Sequence, residues 1–376
     1  MNAPGRIERM LDEIMAVSPR SKWVLSALRA VPRHLFIPSI AQAFVGLEER
    51  ESIIDRDADP DTWWEVVYSD SVLVTQLDDG ATEIQLGARG STSSNSAPST
   101  VADLLQWLDP EPGHRVLEVG TGTGWTAALL SHVVGATNVT SIEIDRANAE
   151  QAAKNLVAAG VQPHLLVGDG AYGFPGHAPF DRVHVTCGIH TVPYAWIAQS
   201  RPGAVIVAPY CPGFGLNNAL RLVVRPDGTA IGRFPGFASY MMMRSQRLVE
   251  IGDFDPDQAQ LSTTRIDPRT LAYAPAGADL AMSTLTGLQS RTYREADFYR
   301  MWVIGDSDRW AAATWELKGD DYEVFQIGDR AVWQEAEDAY FRWVSWGEPD
   351  RDRFGMTVTP EGQHIWLDTP ERVISR

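Results

Sequence analysis

HRVLEVGTGTGWTAALLSH, residues 114–132, runs from an apolar segment through alternating glycines into an alanine- and leucine-rich segment. Val116, Leu117 and Val119 have the pattern of a short strand buried on both faces of a parallel sheet. Gly120, Gly122 and Gly124 then alternate with Thr121 and Thr123, and Ala127, Ala128, Leu129 and Leu130 offer the apolar stripe of a helix. Glycine suits a backbone that turns tightly and presses against a ligand, because no Cβ has to be accommodated. The next apolar run, Val139 to Ile144, carries Glu143 near its C-terminal end, 19 residues past Gly124. A carboxylate at the tip of the second strand is where a Rossmann-type site holds the ribose hydroxyls of a nucleoside.

A glycine turn of this kind also arises for close packing alone. Glu143 in register argues for a ligand, as does the third apolar run, LLVGDG, which ends in Asp169 and Gly170. The spacing is not the GxGxxG fingerprint of a dinucleotide site. Glu118, just before the first glycine, is a poor neighbour for a pyrophosphate and a suitable one for a cation. S-adenosylmethionine has a sulfonium, an ammonium and a ribose, and no phosphate; it is the expected ligand.

The totals set outer bounds. A chain of 376 residues has room for two domains, and 44% hydrophobic residues with ordinary charge content describe a globular protein with a substantial core. A net charge of −17 repels both a phosphate backbone and an acidic lipid surface, so neither nucleic acid nor membrane is an expected partner. Cys187 and Cys211 sit in apolar contexts and read as reduced core thiols of a cytoplasmic protein. The eight histidines are scattered and form no metal-ligand cluster. No signal peptide and no membrane-spanning run is expected.

Along the chain, Ile7, Met10, Leu11 and Ile14 recur at helical spacing, and a second helix is expected from Lys22 to Ala30, ended by Pro32. VPRHLFIP (31–38) reads as a mixed basic and apolar turn, 55–62 as an acidic loop, and YSDSVLVTQL as a strand. Residues 78–92 are expected to form a hairpin or insertion. On composition, Ser93, Ser94, Ser96 and Ser99 read as a linker and N-cap leading into a helix with Val101, Leu104, Leu105 and Leu108 buried. Further βα units follow to Tyr210. A hairpin on the Pro-Asp-Gly turn at 226–228 comes next, its last strand expected to insert antiparallel into a doubly wound sheet. Past Arg247 the alternation stops. Residues 248–376 hold 24 acidic and 13 basic side chains and 7 of the 13 tryptophans. They read as a separate α+β unit whose helix, from Ala331 to Trp346, turns Trp333, Ala336, Ala339, Tyr340, Trp343 and Val344 to one side. The tryptophans are most simply its core, with a peptide-binding groove as the alternative.

From about Ala30 to Arg247 the chain resembles the protein-L-isoaspartate O-methyltransferase family. VPRHLFIP resembles the family's opening segment, NSAPSTVADLL its Ser-x-Pro active-site loop and VLEVGTGTGWTAALL its cofactor motif; VGDG and the run from Phe180 to Pro209 continue the match. More narrowly, VYSDSVLVTQ, the serine-rich lead-in and the tryptophan-bearing C-terminal region resemble an actinobacterial branch that tailors ribosomally made, modified peptides such as graspetides and lanthipeptides. Repair members of the family usually stop near the end of the methyltransferase domain. Ser99, Val101 and the segment Tyr240 to Arg244 depart from the family pattern, all near the acceptor pocket that the resemblance implies.

The resemblance implies a class I methyltransferase: a Rossmann-like doubly wound sheet with a C-terminal α+β domain. An N-terminal region (1–92) would pack on a cofactor-binding core (93–247), and 248–376 would recognise substrate. Ser96 takes the place of the active-site serine and overturns the linker reading. Ser94, Glu118, Gly120, Thr121, Gly122, Glu143, Asp169 and Gly170 are expected to hold S-adenosylmethionine, without metal. The expected substrate is a macrocyclised precursor peptide, methylated on an ordinary aspartate whose ester then closes to an aspartimide and opens to isoaspartate. A repair enzyme for isoaspartyl damage, and a binding module without turnover, are the alternatives.

Overall fold

The computed structural model describes residues 3–45, 50–86, 90–252, 256–316 and 321–374. The chain divides into two compact units: Met1–Cys187, Pro193–Ala208 and Val223–Gly228 form one, and Gly188–Val192, Pro209–Leu222 and Thr229–Arg376 the other.

The first unit opens with α1 (Ala3–Val17), which buries Ile7, Met10, Leu11 and Ile14, and α2 (Lys22–Ala30), which stops ahead of Pro32. β1 (Ile40–Val45) and β2 (Arg50–Asp55) pair antiparallel where no strand was expected. α3 (Pro60–Val67) starts on Asp59, whose side chain accepts the Thr62 amide at 3.1 Å. The acidic run 55–62 is therefore helical at its end and not simply a loop, because an Asp cap followed by proline is helix-start chemistry. β3 (Val72–Leu77) pairs antiparallel with β1 and with β4 (Ser91–Asn95), completing a four-stranded sheet in the order β2-β1-β3-β4. The serine segment is thus an edge strand as far as Asn95, held by backbone pairing. Of the stretch 78–92, residues 87–89 lie outside the described residues.

α4 (Pro98–Leu108) leads into the parallel core: β5 (Val116–Val119), α5 (Trp125–Val134), β6 (Val139–Glu143), α6 (Arg146–Ala158), β7 (His164–Val167), β8 (Phe180–Val185), α7 (Tyr194–Ala198) and β9 (Ser200–Tyr210). β5 pairs with β6 and β8, β6 with β7, and β8 with β9, all parallel. Every residue of β5 and β6 is buried, the apolar Val116, Leu117, Val119, Val139 and Ile142 together with the polar Glu118, Thr140, Ser141 and Glu143. The chain winds one way from β5 to β7 and the other way through β8 and β9, so the switch point lies at the C-terminal ends of β5 and β8. Gly120 and Thr186 occupy those ends.

The second unit holds β10 (Asn218–Val224) as far as Leu222, β11 (Ala230–Gly236), β12 (Gln260–Thr264), α8 (Pro268–Ala272), α9 (Ala276–Thr286), β13 (Gln289–Glu295), β14 (Phe298–Asp306), β15 (Arg309–Glu316), β16 (Tyr322–Ile327), α10 (Val332–Ser345), β17 (Phe354–Thr359), β18 (Gly362–Leu367) and β19 (Val373–Ile374). An antiparallel sheet runs β12-β16-β15-β14-β13. β11 lies between β10 and β17 in a ten-stranded sheet and runs antiparallel to β17. Gly232 lies hard against Arg221 and Leu222 of β10, and the other edge of β11 pairs with β17, Ala230 opposite Val358. With both edges of β11 taken, the final hairpin β17–β18 extends this ladder. Of the seven C-terminal tryptophans, Trp310, Trp333, Trp343 and Trp366 are buried and none is exposed, which favours the core reading. Neither Cys187 nor Cys211 forms a disulfide, and no helix among the described residues is long and apolar enough to cross a membrane.

Candidate active site

The glycine turn at the end of β5 uses positive φ at Gly120 (95°), Gly122 (54°) and Gly124 (89°). At Gly120 a Cβ would also fall 2.7 Å from Thr186 Oγ1, the hydroxyl that donates to the Gly120 carbonyl from the end of β8. The turn is tied to the second strand as well. Gly122 N–H donates to Glu143 Oε2 at 2.8 Å, while Asp145 N–H donates to Glu143 Oε1 at 2.9 Å. Those two amides orient the buried carboxylate.

Asp169 stands at the end of the third strand. Its Oδ1 accepts the Ala171 amide at 2.9 Å, and its Oδ2 has no partner among the described residues. Gly170 presses on Val119, where a Cβ would approach Cγ1 to 2.5 Å, and its carbonyl accepts Trp196 Nε1 at 2.8 Å. The tips of β5, β6 and β7 are in this way held together, and the expected residues Gly120, Gly122, Glu143, Asp169 and Gly170 cluster there.

Glu118 departs from its expected setting. It is fully buried, and its Oε2 accepts Ser141 Oγ at 2.5 Å, with Thr121 Oγ1 2.6 Å beyond. Its Oε1 has no partner among the described residues. Burial pushes the acid up to about 8; the Ser141 hydrogen bond opposes this, and the charge of Glu143 adds to it. At neutral pH this burial favours the neutral form of Glu118. Its register neighbour on β8, His184, is equally enclosed, lacks a partner at Nδ1, and is driven down to about 4 by burial.

The serine segment lies beside the same turn. Ser94 O is 3.6 Å, and Ser93 Oγ 3.9 Å, from where a Gly122 Cβ would stand, and Asn95 Nδ2 donates to Thr123 Oγ1 at 2.9 Å. Ser94 and Ser96 are half-buried. The Ser96 carbonyl is fixed, accepting Arg33 Nη2 at 2.9 Å, while its hydroxyl has no partner among the described residues.

Arg33, read from sequence only as part of a basic and apolar turn, is what organises this segment. It is 1% exposed and donates to Asn95 Oδ1 (2.7 Å) and to the carbonyls of Val67, Ser69, Ser71 (2.7 Å), Asn95 and Ser96. Burial lowers the guanidinium to about 9, with Asp70 and then Tyr68 opposing, so it stays charged at neutral pH. A lone arginine inside an apolar run was the available signal: a buried charge needs every donor satisfied. Asn95 and Thr186 left no such mark. No group of three or more potential metal ligands occurs among the described residues.

The family model for protein-L-isoaspartate(D-aspartate) O-methyltransferase (PCMT) matches residues 52–231, a span that contains every site residue above except Arg33. A protein-L-isoaspartate O-methyltransferase of Thermotoga maritima is 39% identical over 145 residues, 38% of this chain and 43% of that protein. One of Methylorubrum extorquens is 32% identical over 254 residues, 68% of this chain and 92% of that protein. The chain thus spans less than half of the first relative and nearly all of the second. A solved structure named protein-L-isoaspartate O-methyltransferase has the same fold, with a TM-score of 0.54 and 22% identity over 96% of this chain and all of that one.

Proposed function

The chain belongs to the protein-L-isoaspartate(D-aspartate) O-methyltransferase family, and from that premise we propose that it esterifies the free carboxylate of an isoaspartyl residue in a protein or peptide. S-adenosylmethionine, when bound, supplies a methyl group on a sulfonium that leaves without acid or base assistance. The residues at the strand tips fit that molecule. Glu143, oriented by two amides, accepts ribose hydroxyls; Asp169 Oδ2 accepts an amino group; Ser94, Thr121, Gly122 and Gly170 form the backbone wall. The chain's own work is placement. An acceptor carboxylate is ionised at neutral pH, so no strong base is needed, and the rate depends on holding its oxygen in line.

One observation carries the reading. Ser96 presents an unpartnered hydroxyl from a backbone that Arg33 and Asn95 lock beside the glycine turn. That hydroxyl donates to the acceptor carboxylate and orients it. With both cysteines outside any disulfide, the reading assigns the enzyme to the reducing cytoplasm. The finer alternative, an ordinary aspartate of a macrocyclised ribosomal peptide that ends as aspartimide or isoaspartate, rests on the resemblance of VYSDSVLVTQ, the serine-rich lead-in and the tryptophan-bearing C-terminal region to the peptide-tailoring branch. Labelled-methyl transfer to matched isoaspartyl, aspartyl and macrocyclic aspartyl peptides separates the two. Preference for the isoaspartyl peptide is expected; activity confined to the macrocycle would replace the proposal with the alternative.

A further inference from the structure

The parallel sheet has another cavity at the opposite ends of its strands. It encloses about 240 Å3 and is lined by Arg115, Asn138, Thr140, His164, His177 and Phe180, among others. The topology brings these together. Arg115 immediately precedes β5, Thr140 is the second residue of β6, His164 opens β7, and His177 lies in the turn before β8. Gly120, Glu143 and Asp169 stand at the far ends of the same strands. The two places are therefore separated by the length of the strands.

The lining is cationic in a chain whose net charge is −17. No carboxylate lines the cavity. The Arg115 guanidinium has no hydrogen bond or ion pair among the described residues; Asp181, which accepts the Arg115 backbone amide at 2.8 Å, pairs instead with Arg201 at 3.0 Å. The rings of His164 and His177 lie 4.4 Å apart between centroids, and Thr140 Oγ1 is 2.8 Å from His177 Nδ1, which leaves Nε2 as that ring's open nitrogen. His177 is held below the ordinary imidazole range by burial first, then by the charges of His164 and Arg115. Three cationic or protonatable groups thus converge without a counter-ion.

We propose that this cavity binds a small tetrahedral dianion, phosphate or sulfate in type, either free or as the terminal group of a small phosphomonoester. Arginine supplies a fork of donors that matches such oxygens, and the imidazoles and the Thr140 hydroxyl add single hydrogen bonds. The volume is below the roughly 300–1,000 Å3 of pockets that take drug-sized ligands, so a phosphate with a few carbons fits and a nucleotide does not.

The test titrates the full chain with sodium phosphate by calorimetry while following the histidine Hε1 resonances. Saturable binding with a Kd of about 1 mM or tighter is expected, with the His164 and His177 signals shifting together. Arg115→Gln and His164→Gln should each weaken it by about 10-fold or more, the loss of a charge-assisted hydrogen bond, and leave S-adenosylhomocysteine affinity unchanged. Glycerol 3-phosphate is the second probe: tighter binding than phosphate assigns the site to a phosphomonoester, and equal binding to the free anion. Absence of saturation with both probes, or unshifted histidine resonances in the wild-type chain, overturns the proposal. So does undiminished binding in Arg115→Gln.

Discussion

Arg33 and Ser96 divide the work of one segment between support and chemistry. Lysine at position 33 keeps a charge but has three donors in place of a planar fork of five, so it cannot serve all six acceptors, Asn95 Oδ1 and the carbonyls of Val67, Ser69, Ser71, Asn95 and Ser96. Each carbonyl left unpaired in the interior costs about 1–3 kcal/mol. Arg33→Lys should therefore lower the urea midpoint clearly; a wild-type midpoint would show the network to be dispensable. Ser96→Ala removes only a hydroxyl with no internal partner, so stability should hold. Methyl transfer should slow about 10- to 100-fold with S-adenosylhomocysteine affinity nearly intact, the value of one hydrogen bond realised in the transition state. Wild-type turnover would return Ser96 to the status of a linker residue. Glu143→Ala should act the other way, weakening S-adenosylhomocysteine by about 1.5–3 kcal/mol for each charge-assisted hydrogen bond lost, as read by calorimetry. Unchanged affinity would place the cofactor elsewhere.

The strand-turn-helix from β5 to α5 is constrained twice at Gly120, once by its φ of 95° and once by the Thr186 hydroxyl. These constraints are separable. Gly120→Ala should destabilise the chain and abolish cofactor binding. Adding Thr186→Ala opens the space but leaves an L-residue in a left-handed conformation at a cost of roughly 1–2 kcal/mol, so recovery in thermal unfolding should be partial. No recovery at all would mean that contact with Thr186 is not what excludes a side chain there. Strand β4 makes the complementary point. Its serines have little strand propensity, and it exists because β3 offers it an edge and Arg33 and Thr123 fasten its end at Asn95.

The two buried groups of the β5–β8 row make stability depend on pH with opposite signs. Glu118, at about 8 when folded against 4.5 normally, binds more protons folded than unfolded across that window, so its contribution is lost as pH rises. His184, at about 4 against 6.5, binds fewer, so its penalty grows as pH falls below 6.5. Above 6.5 the acid acts unopposed, joined by Asp279 of α9, which burial pushes up to about 8 while the Leu216 amide opposes. Between pH 6.5 and 8 Glu118 should cost ~2 kcal/mol, and Glu118→Gln should flatten that part of a urea-midpoint profile. An unchanged slope would leave Asp279 as its source. Truncation after Arg247 tests the interlocking of the second unit. The cut strips β17 from β11, removes Gln363, which accepts the Val192 amide at 2.8 Å, and removes Asp279, which accepts that of Leu216 at 2.8 Å. Insoluble protein is expected; a soluble, cooperatively folding fragment would contradict this account.

The parallel core and the gathering of Gly120, Glu143 and Asp169 at its strand tips were legible because local chemistry carries them. Strands buried on both faces are rich in apolar residues, helices need caps and stripes, and a turn with positive φ favours glycine, so Gly120, Glu143 and Asp169 could be placed at strand ends by counting along the chain. The resemblance added Ser96, which composition had read as linker. What required the tertiary structure was every feature that depends on distant segments meeting. Asn95 and Arg33 stand 62 residues apart, and β11 meets β17 across more than a hundred. The charge state of Glu118 was equally hidden, since a carboxylate looks the same in sequence whether water reaches it or not. Pattern along the chain reports how a segment is used locally, whereas burial and pairing are decided only when the segments are packed together.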